Sequence, residues 1–317
     1  MYEDINNVNG DPNIVIFEAN ILNQVPVMET NNNIPVPVIA EPVPIAAEPI
    51  KTVKVFFDRV VFEIDGKTLK NILTLNNIST NGEIKLTFNK NNVECIIVDP
   101  AHVEMIQTTI NKEMFLMYSV ETTNNDADRV ILGIDVDKML SVLKTVKKNE
   151  TVSLEYDTRT ADKTFIVKTG IFTHKVNVID SDGIPDSKIP YLDLKAKFTI
   201  NAETFYSFLD QSGTVSDHFL IQTNGAPTNN VYLKASGDIN NVECIPEINN
   251  LTSNSIHKSM FSTDYVLNVV KDIKKLFKFL TIEISDDNPI RITGDGFSSG
   301  NGYLDIIVLI APRIEEA

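Results

Sequence analysis

The sequence is short of the residues on which most enzymatic and metal-binding sites depend. It has two cysteines, four histidines and no tryptophan among 317 residues. Cys95 and Cys244 are far apart and stand in no metal-ligand spacing, which favours two free thiols over a disulfide framework or a zinc cluster. The histidines are scattered, and no phosphate loop, dinucleotide motif or Ser-His-Asp signature occurs. We therefore expect a protein that is not an enzyme and has no metal or cofactor.

Basic residues and long apolar runs are also scarce. The 28 lysines and arginines are outnumbered by 43 acidic residues, which gives a net charge of −15. A protein of this charge repels nucleic acid and anionic membrane, so any DNA contact must come from a local basic patch. The longest apolar runs are far shorter than the roughly 18 residues that cross a bilayer, and the first 50 residues contain no lysine or arginine to start a signal peptide. These absences predict a soluble, cytoplasmic protein with no membrane partner.

The amino-terminal segment, residues 1–52, differs in composition from the rest. Its first 50 residues hold seven acidic residues, no basic ones and seven of the fourteen prolines. Proline prevents a regular helix or a central strand, so the segment is predicted to be a disordered, partly extended arm. Only the apolar stretch Ile14 to Phe17 could pair as an edge strand.

From Val55 onward the chain has the pattern of a strand-rich α+β protein. Short runs of Val, Ile, Phe and Thr are separated by Asn-Gly, Asp-Gly and Asn-Asn turns. Two segments of helical periodicity, Asp137 to Lys148 and Asp264 to Lys275, are identical at six of twelve positions. Each is preceded by a shorter helical segment, Asp65 to Leu73 or Asn201 to Leu209, which begins with a residue that favours the N-cap.

This internal repeat predicts two copies of one domain, each with two helices. We expect the two domains at 53–179 and 196–317, joined by a connecting loop at 180–195. The loop is favoured because its Asp- and Pro-containing sequence lies between the two copies.

The predicted helices carry lysines opposite their apolar stripes. Such a row is usually only a solvated face, but it recurs in both copies of an acidic protein. Like charges four residues apart are unfavourable by roughly 0.2 to 0.5 kcal/mol without a partner, which favours a polyanion as their partner. The lysines expected to face this polyanion are Lys67, Lys70, Lys144, Lys147, Lys148, Lys271, Lys274, Lys275 and Lys278.

Four motifs in fixed order resemble those of the archaeal and eukaryotic sliding clamps, the proliferating cell nuclear antigen (PCNA) family. They are Val98 to Val103 (VDPAHV), Val215 to His218 (VSDH), Asp264 to Ile292 with its Asp-Asn-Pro-Ile turn, and the closing Leu309 to Ala317 (LIAPRIEEA). The resemblance covers about residues 55 to 317 and leaves the arm unmatched. It implies the DNA clamp fold and a homotrimeric ring whose helices face double-stranded DNA without reading its sequence.

The resemblance also implies partners and a site for them. A clamp of this family is a processivity factor near the nucleoid that tethers DNA polymerase, clamp loader, ligase and nucleases through PCNA-interacting peptides. The implied peptide pocket consists of Val98, His102, Val103, Met105, Ile189, Pro190, Pro289, Leu309, Ala311 and Pro312. Leu309 stands where many members have an aromatic residue and Ser187 where an apolar one is common. The connecting loop has a second Ile-Pro pair, Ile184 and Pro185, and the choice between the two pairs is open.

The subunit interface is likewise implied by family position. The strand Lys163 to Gly170 should pair with Asn241 to Ile245 of a neighbouring copy. The residues assigned to this interface are Phe165, Val167, Lys168, Asn241, Val242, Glu243 and Cys244. Two alternatives remain open: a subunit that works only in a mixed ring, and a clamp of viral or mobile-element origin with altered partner choice.

Overall fold

The computed structural model describes residues 57–78, 82–123, 129–160, 162–224, 229–253, 255–295, 298–299 and 302–314. All of them belong to one compact unit that starts at Phe57. The predicted arm and its Ile14 to Phe17 strand lie outside the described residues. None of the described helices is long and apolar enough to span a membrane.

The described chain contains four helices and nineteen strands. The helices are α1 (Gly66–Asn76), α2 (Val136–Leu143), α3 (Ala202–Gly213) and α4 (Thr263–Ile273). The strands of the first half are β1 (Asp58–Asp65), β2 (Glu83–Asn89), β3 (Asn92–Val98), β4 (Glu104–Asn111), β5 (Met117–Thr122), β6 (Arg129–Asp135), β7 (Thr151–Asp157), β8 (Thr164–Thr169) and β9 (Phe172–Ile179). Those of the second half are β10 (Ala196–Asn201), β11 (His218–Asn224), β12 (Asn230–Ser236), β13 (Asn241–Cys244), β14 (Ile248–Thr252), β15 (His257–Ser262), β16 (Phe279–Ile284), β17 (Ile290–Asp295), β18 (Ser298–Ser299) and β19 (Gly302–Ile310).

The strand order repeats, as the sequence repeat predicts. In the large sheet the order is β14-β10-β16-β17-β19-β4-β3-β2-β6-β9-β8-β7-β1-β5, with β18 beside β19. A smaller sheet has the order β13-β12-β11-β15. The run β5-β1-β7-β8-β9 therefore corresponds to β14-β10-β16-β17-β19, and β4-β3-β2-β6 corresponds to β13-β12-β11-β15. We call β1 to β9 with α1 and α2 the first repeat, and β10 to β19 with α3 and α4 the second repeat.

The two repeats are joined by strand pairing. The last strand of the second repeat, β19, pairs antiparallel with β4 of the first along seven residue pairs, from Leu304 opposite Ile110 to Ile310 opposite Glu104. No helix or strand occurs between β9 and β10, at 180–195. The connection between repeats is thus a loop on one side and a continuous sheet on the other.

The helices form a row in which α1 contacts α2 and α4, and α4 contacts α3. Apolar residues at helical spacing are buried under each helix, as with Val266, Val269 and Val270 of α4. The predicted N-caps are confirmed: the Asp65 carboxylate accepts from the Thr68 amide at 2.8 Å, and the Asn201 side chain accepts from two amides of α3. The predicted strand-rich α+β fold with two helices per repeat is confirmed.

One helix is shorter than its periodicity predicts. The pattern extends to Lys148, but α2 ends at Leu143. The chain must turn into β7 at Thr151, and the Glu150 carboxylate stabilises that turn by accepting from the Lys147 amide at 2.7 Å. Lys147 and Lys148 therefore lie in a turn after the helix.

Candidate functional site

A largely apolar groove of about 700 Å³ lies where the connecting loop crosses β2, β3, β4 and the end of β19. Eight of the ten residues assigned to the peptide pocket line it, namely Val98, His102, Val103, Met105, Pro190, Pro289, Leu309 and Ala311. The groove is also lined by Glu83, Ile96, Ile97, Asp99, Pro100, Glu104, Gly183, Ile184, Pro185, Ser187 and Lys188.

One wall of the groove is the tight loop from Asp99 to Glu104, which is organised by a single carboxylate. Asp99 is buried, and its Oδ1 accepts from the amides of Val103 at 2.7 Å and Glu104 at 2.6 Å. Its Oδ2 accepts from the Ala101 amide at 3.1 Å. These bonds hold His102 at the loop tip with a φ of +56°, a left-handed conformation that is uncommon outside glycine.

The opposite wall is the connecting loop, where the first Ile-Pro pair contacts the groove. Ile184 and Pro185 line it, whereas Ile189 does not. Of the second Ile-Pro pair, Pro190 is among the lining residues of the groove and Ile189 is not. The Lys85 ammonium of β2 lies 2.8 Å from the Asp186 carboxylate and ties the loop to the sheet. That ion pair holds the pKa of Asp186 below its usual range.

The carboxyl-terminal segment closes one end of the groove and joins two of the sequence motifs. The Ala311 amide donates to the Val103 carbonyl at 2.9 Å, while Pro312 lies outside the groove lining, contrary to expectation, because the chain turns away toward β15. There Arg313 donates from its amide to the carbonyl of Met260 and from its guanidinium to the Asp217 carboxylate, both at 2.7 Å. The guanidinium lowers the pKa of Asp217, and His218 adds to this shift.

Pro289 reaches the groove from a turn that is held by one backbone amide and one side chain of β15. The Asp286 carboxylate accepts from the Lys258 amide at 2.8 Å and lies 2.9 Å from Nδ1 of His257. The hydrogen bond from the Lys258 amide lowers the pKa of Asp286 most, and the contact with His257 lowers it further. The Asp-Asn-Pro-Ile motif thus contributes to the groove through its tertiary contacts.

The nine predicted helix-face lysines fall into two groups. Seven have no ion-pair partner among the described residues, and these are Lys67, Lys70, Lys144, Lys147, Lys148, Lys271 and Lys278. Lys274 instead lies 3.0 Å from the Glu203 carboxylate of α3 and 3.5 Å from the centroid of the Tyr206 ring. Lys275, which follows the end of α4, pairs with Asp272 of that helix.

The expectation that Lys163 to Gly170 offers an exposed sheet edge is wrong. This segment forms β8, which pairs with β7 on one side and β9 on the other. Phe165 and Val167 are consequently buried in the core, and of the three residues of this segment assigned to the interface only Lys168 is exposed. The free edge belongs to β9, whose outer side pairs with β6 only at its last two residues. The other predicted segment, Asn241 to Cys244, is the edge strand β13, paired only with β12 among the described strands.

The fold and the groove can be compared with known proteins. The DNA polymerase sliding clamp of Methanocella arvoryzae is 29% identical over 237 residues, which cover 74% of this chain and 90% of that protein. This chain is a homologue of the archaeal DNA polymerase sliding clamps. No protein-family model matches the chain.

Solved structures of PCNA have the same fold. A structure of A. fulgidus PCNA bound to the C-terminal region of FEN-1 aligns with a TM-score of 0.69 and 24% identity, over 81% of this chain and all of that one. PCNA from Thermococcus kodakaraensis aligns with a TM-score of 0.68 and 19% identity, over 80% of this chain and all of that one. The family function is that of a DNA polymerase sliding clamp, a non-enzymatic processivity factor.

Proposed function

We propose that this PCNA homologue encircles duplex DNA as a ring of three copies and tethers DNA polymerase and other replication enzymes through peptides bound in the groove. One observation supports the ring. Two strand edges, those of β9 and β13, do not pair with each other within the described chain, whereas the corresponding strands of the other repeat, β19 and β4, do. The protein then acts on DNA in the cytoplasm, near the nucleoid, without chemistry of its own.

The ring follows from the symmetry of the repeats. Inside the chain, the last strand of the second repeat, β19, pairs with β4 of the first. The corresponding strands are β9, the last of the first repeat, and β13, which has the place of β4 in the second repeat. They do not pair within the described chain, so the equivalent contact requires two copies. A head-to-tail contact of this kind closes into a ring when the rotation allows it.

The side chains at these two edges are complementary. Phe172 at the start of β9 and Ile245 just after β13 are each 60% exposed. Lys175 of β9 and Glu243 of β13 are both exposed and of opposite charge, although each is already paired within its own chain, with Asp162 and Lys234. Pairing of the two strands would cover these apolar side chains and satisfy two free sheet edges.

The ring is tested by the solution mass of the purified protein and of two variants. The wild-type protein is expected to be a trimer, and Phe172→Asp should shift it toward the single subunit by placing a carboxylate in the contact. Ile256→Asp is the matched control, since Ile256 is 62% exposed and lies on neither strand. A wild-type monomer at micromolar concentration would contradict the homotrimer, and a ring recovered only with a second protein would indicate the mixed assembly.

In such a ring the helix row continues from copy to copy. The contact of α1 with α4 crosses the repeat boundary, and its equivalent is a contact of α3 with α2 of the next copy. Lysines on this row then face DNA, and contacts with phosphates, which carry no sequence information, permit sliding.

A further inference from the structure

The four helices that face DNA in the proposed ring differ sharply in charge between the repeats. In the first repeat, the helices with their N-caps and the turns after α2, residues 65–76 and 135–148, contain six lysines and three acidic residues, and one of these lysines, Lys138, is paired with Asp135. In the second repeat, the corresponding residues 201–213 and 262–278 contain four lysines and four acidic residues. The repeated lysine pattern of α2 and α4 therefore stands in two different electrostatic surroundings.

The difference is built into specific contacts of the second repeat. The ammonium of Lys274 lies 3.1 and 3.0 Å from the two carboxylate oxygens of Glu203. It also lies over the face of Tyr206, where the ring attracts the cation. Its side chain is only 20% exposed, so the cation is held between α3 and α4. Lys271, one turn earlier on α4, is exposed and has no ion-pair partner among the described residues.

We propose that Glu203 withholds Lys274 from DNA, so that DNA is held mainly by the lysines of the first repeat together with Lys271 and Lys278. This inference rests on the proposed function. To reach a phosphate, Lys274 must leave both the Glu203 carboxylate and the face of Tyr206. The free energy gained from a solvent-screened phosphate contact is then offset by the free energy of the two contacts that are lost. Around the ring, three strongly cationic sectors alternate with three nearly neutral ones.

The test compares Lys271→Ala, Lys274→Ala and Glu203→Gln in the full chain, with a fluorescent duplex as the probe and binding measured across low salt concentrations. Each phosphate contact contributes roughly 0.9 to the slope of log affinity against log salt. Lys271→Ala should reduce the slope by up to about that amount, while Lys274→Ala should leave it unchanged. Glu203→Gln should raise both affinity and slope, because it releases one cation. Glu113→Gln makes the same charge change outside the helix row and should have little effect.

The coupling between the two residues gives a second readout. In the Glu203→Gln background, Lys274→Ala should reduce the salt slope by as much as Lys271→Ala reduces it. In the wild-type background, Lys274→Ala should leave the slope unchanged. Equal losses from Lys271→Ala and Lys274→Ala, or an unchanged slope for Glu203→Gln, would overturn the inference. Absence of any DNA binding by an intact wild-type ring would instead refute the proposed function, and mass measurement of each variant separates loss of the ring from loss of DNA contact.

Discussion

Replacing Asp99 should disrupt the groove wall more than any other single polar change there. Its carboxylate accepts from three amides, of which the Glu104 amide is fully buried and the Val103 amide is half-buried. Burial, followed by the nearby carboxylates of Asp99 and Glu104, raises the pKa of Tyr265 of α4.

The expected magnitude follows from these bonds. In Asp99→Ala the buried amide loses its acceptor, which costs about 1–3 kcal/mol, and the half-buried amide adds about 1 kcal/mol because water can partly replace the carboxylate. We expect the free energy of unfolding to fall by about 2–4 kcal/mol. Asp99→Asn keeps an oxygen in the place of Oδ1, but its NH2 group replaces Oδ2 and cannot accept from the Ala101 amide. Loss of the charge and of that one bond should cost about 1–2 kcal/mol.

Urea unfolding at a fixed protein concentration measures these differences, since assembly would otherwise contribute to stability. Asp238→Ala is the control: Asp238 is exposed, has no partner among the described residues and should stay within about 0.5 kcal/mol of wild type. On the proposed function, a peptide such as the FEN-1 C-terminal region that A. fulgidus PCNA binds should bind Asp99→Ala more weakly, while the proposed ring persists. A stability within about 0.5 kcal/mol of wild type, or equal effects of Ala and Asn, would refute this account of the loop.

Two further predictions concern the groove and its carboxyl-terminal border. Ile184→Asp should weaken binding of the FEN-1 peptide about tenfold or more, because an apolar contact of about 1.5–3 kcal/mol is lost. Ile189→Asp should change the affinity little. Equal affinities of the two variants, measured by fluorescence anisotropy, would contradict the groove assignment. Asp217 has a pKa lowered by Arg313, so its contribution to stability is present above the unfolded pKa of about 3.9 and is lost as the pH falls through the lower folded value. Asp217→Asn should therefore be destabilised at neutral pH and approach wild type below about pH 4, and a constant difference in urea midpoint at all pH values would contradict this linkage.

The helices and the repeat could be predicted from the sequence because the patterns that indicate them are local. Apolar residues at helical spacing and the capping residues Asp65 and Asn201 act within one or two turns of chain. The end of α2 could not be predicted in the same way, because the helical pattern of apolar residues continues to Lys148. The turn before β7 is stabilised by Glu150, and the helical pattern does not indicate that turn.

The groove could be predicted from the sequence only in part. The resemblance assigned eight of its nineteen lining residues, since the short motifs stay close to the walls they form. It left the choice between Ile184 and Ile189 open, because both stand before proline and only the path of the loop over β2 and β3 distinguishes them.

By itself, the sequence determined that this is a two-repeat, strand-rich protein with lysine-bearing helices, and its motifs indicated a PCNA-type clamp. Composition and periodicity suffice for this because they reflect burial and charge along the chain. Only the tertiary structure decided that β9 rather than β8 has the free edge, and that Lys274 is held by Glu203 while Lys271 is not. Edges and ion pairs of this kind join residues far apart in the chain, so they depend on strand order and helix packing, which no local pattern specifies.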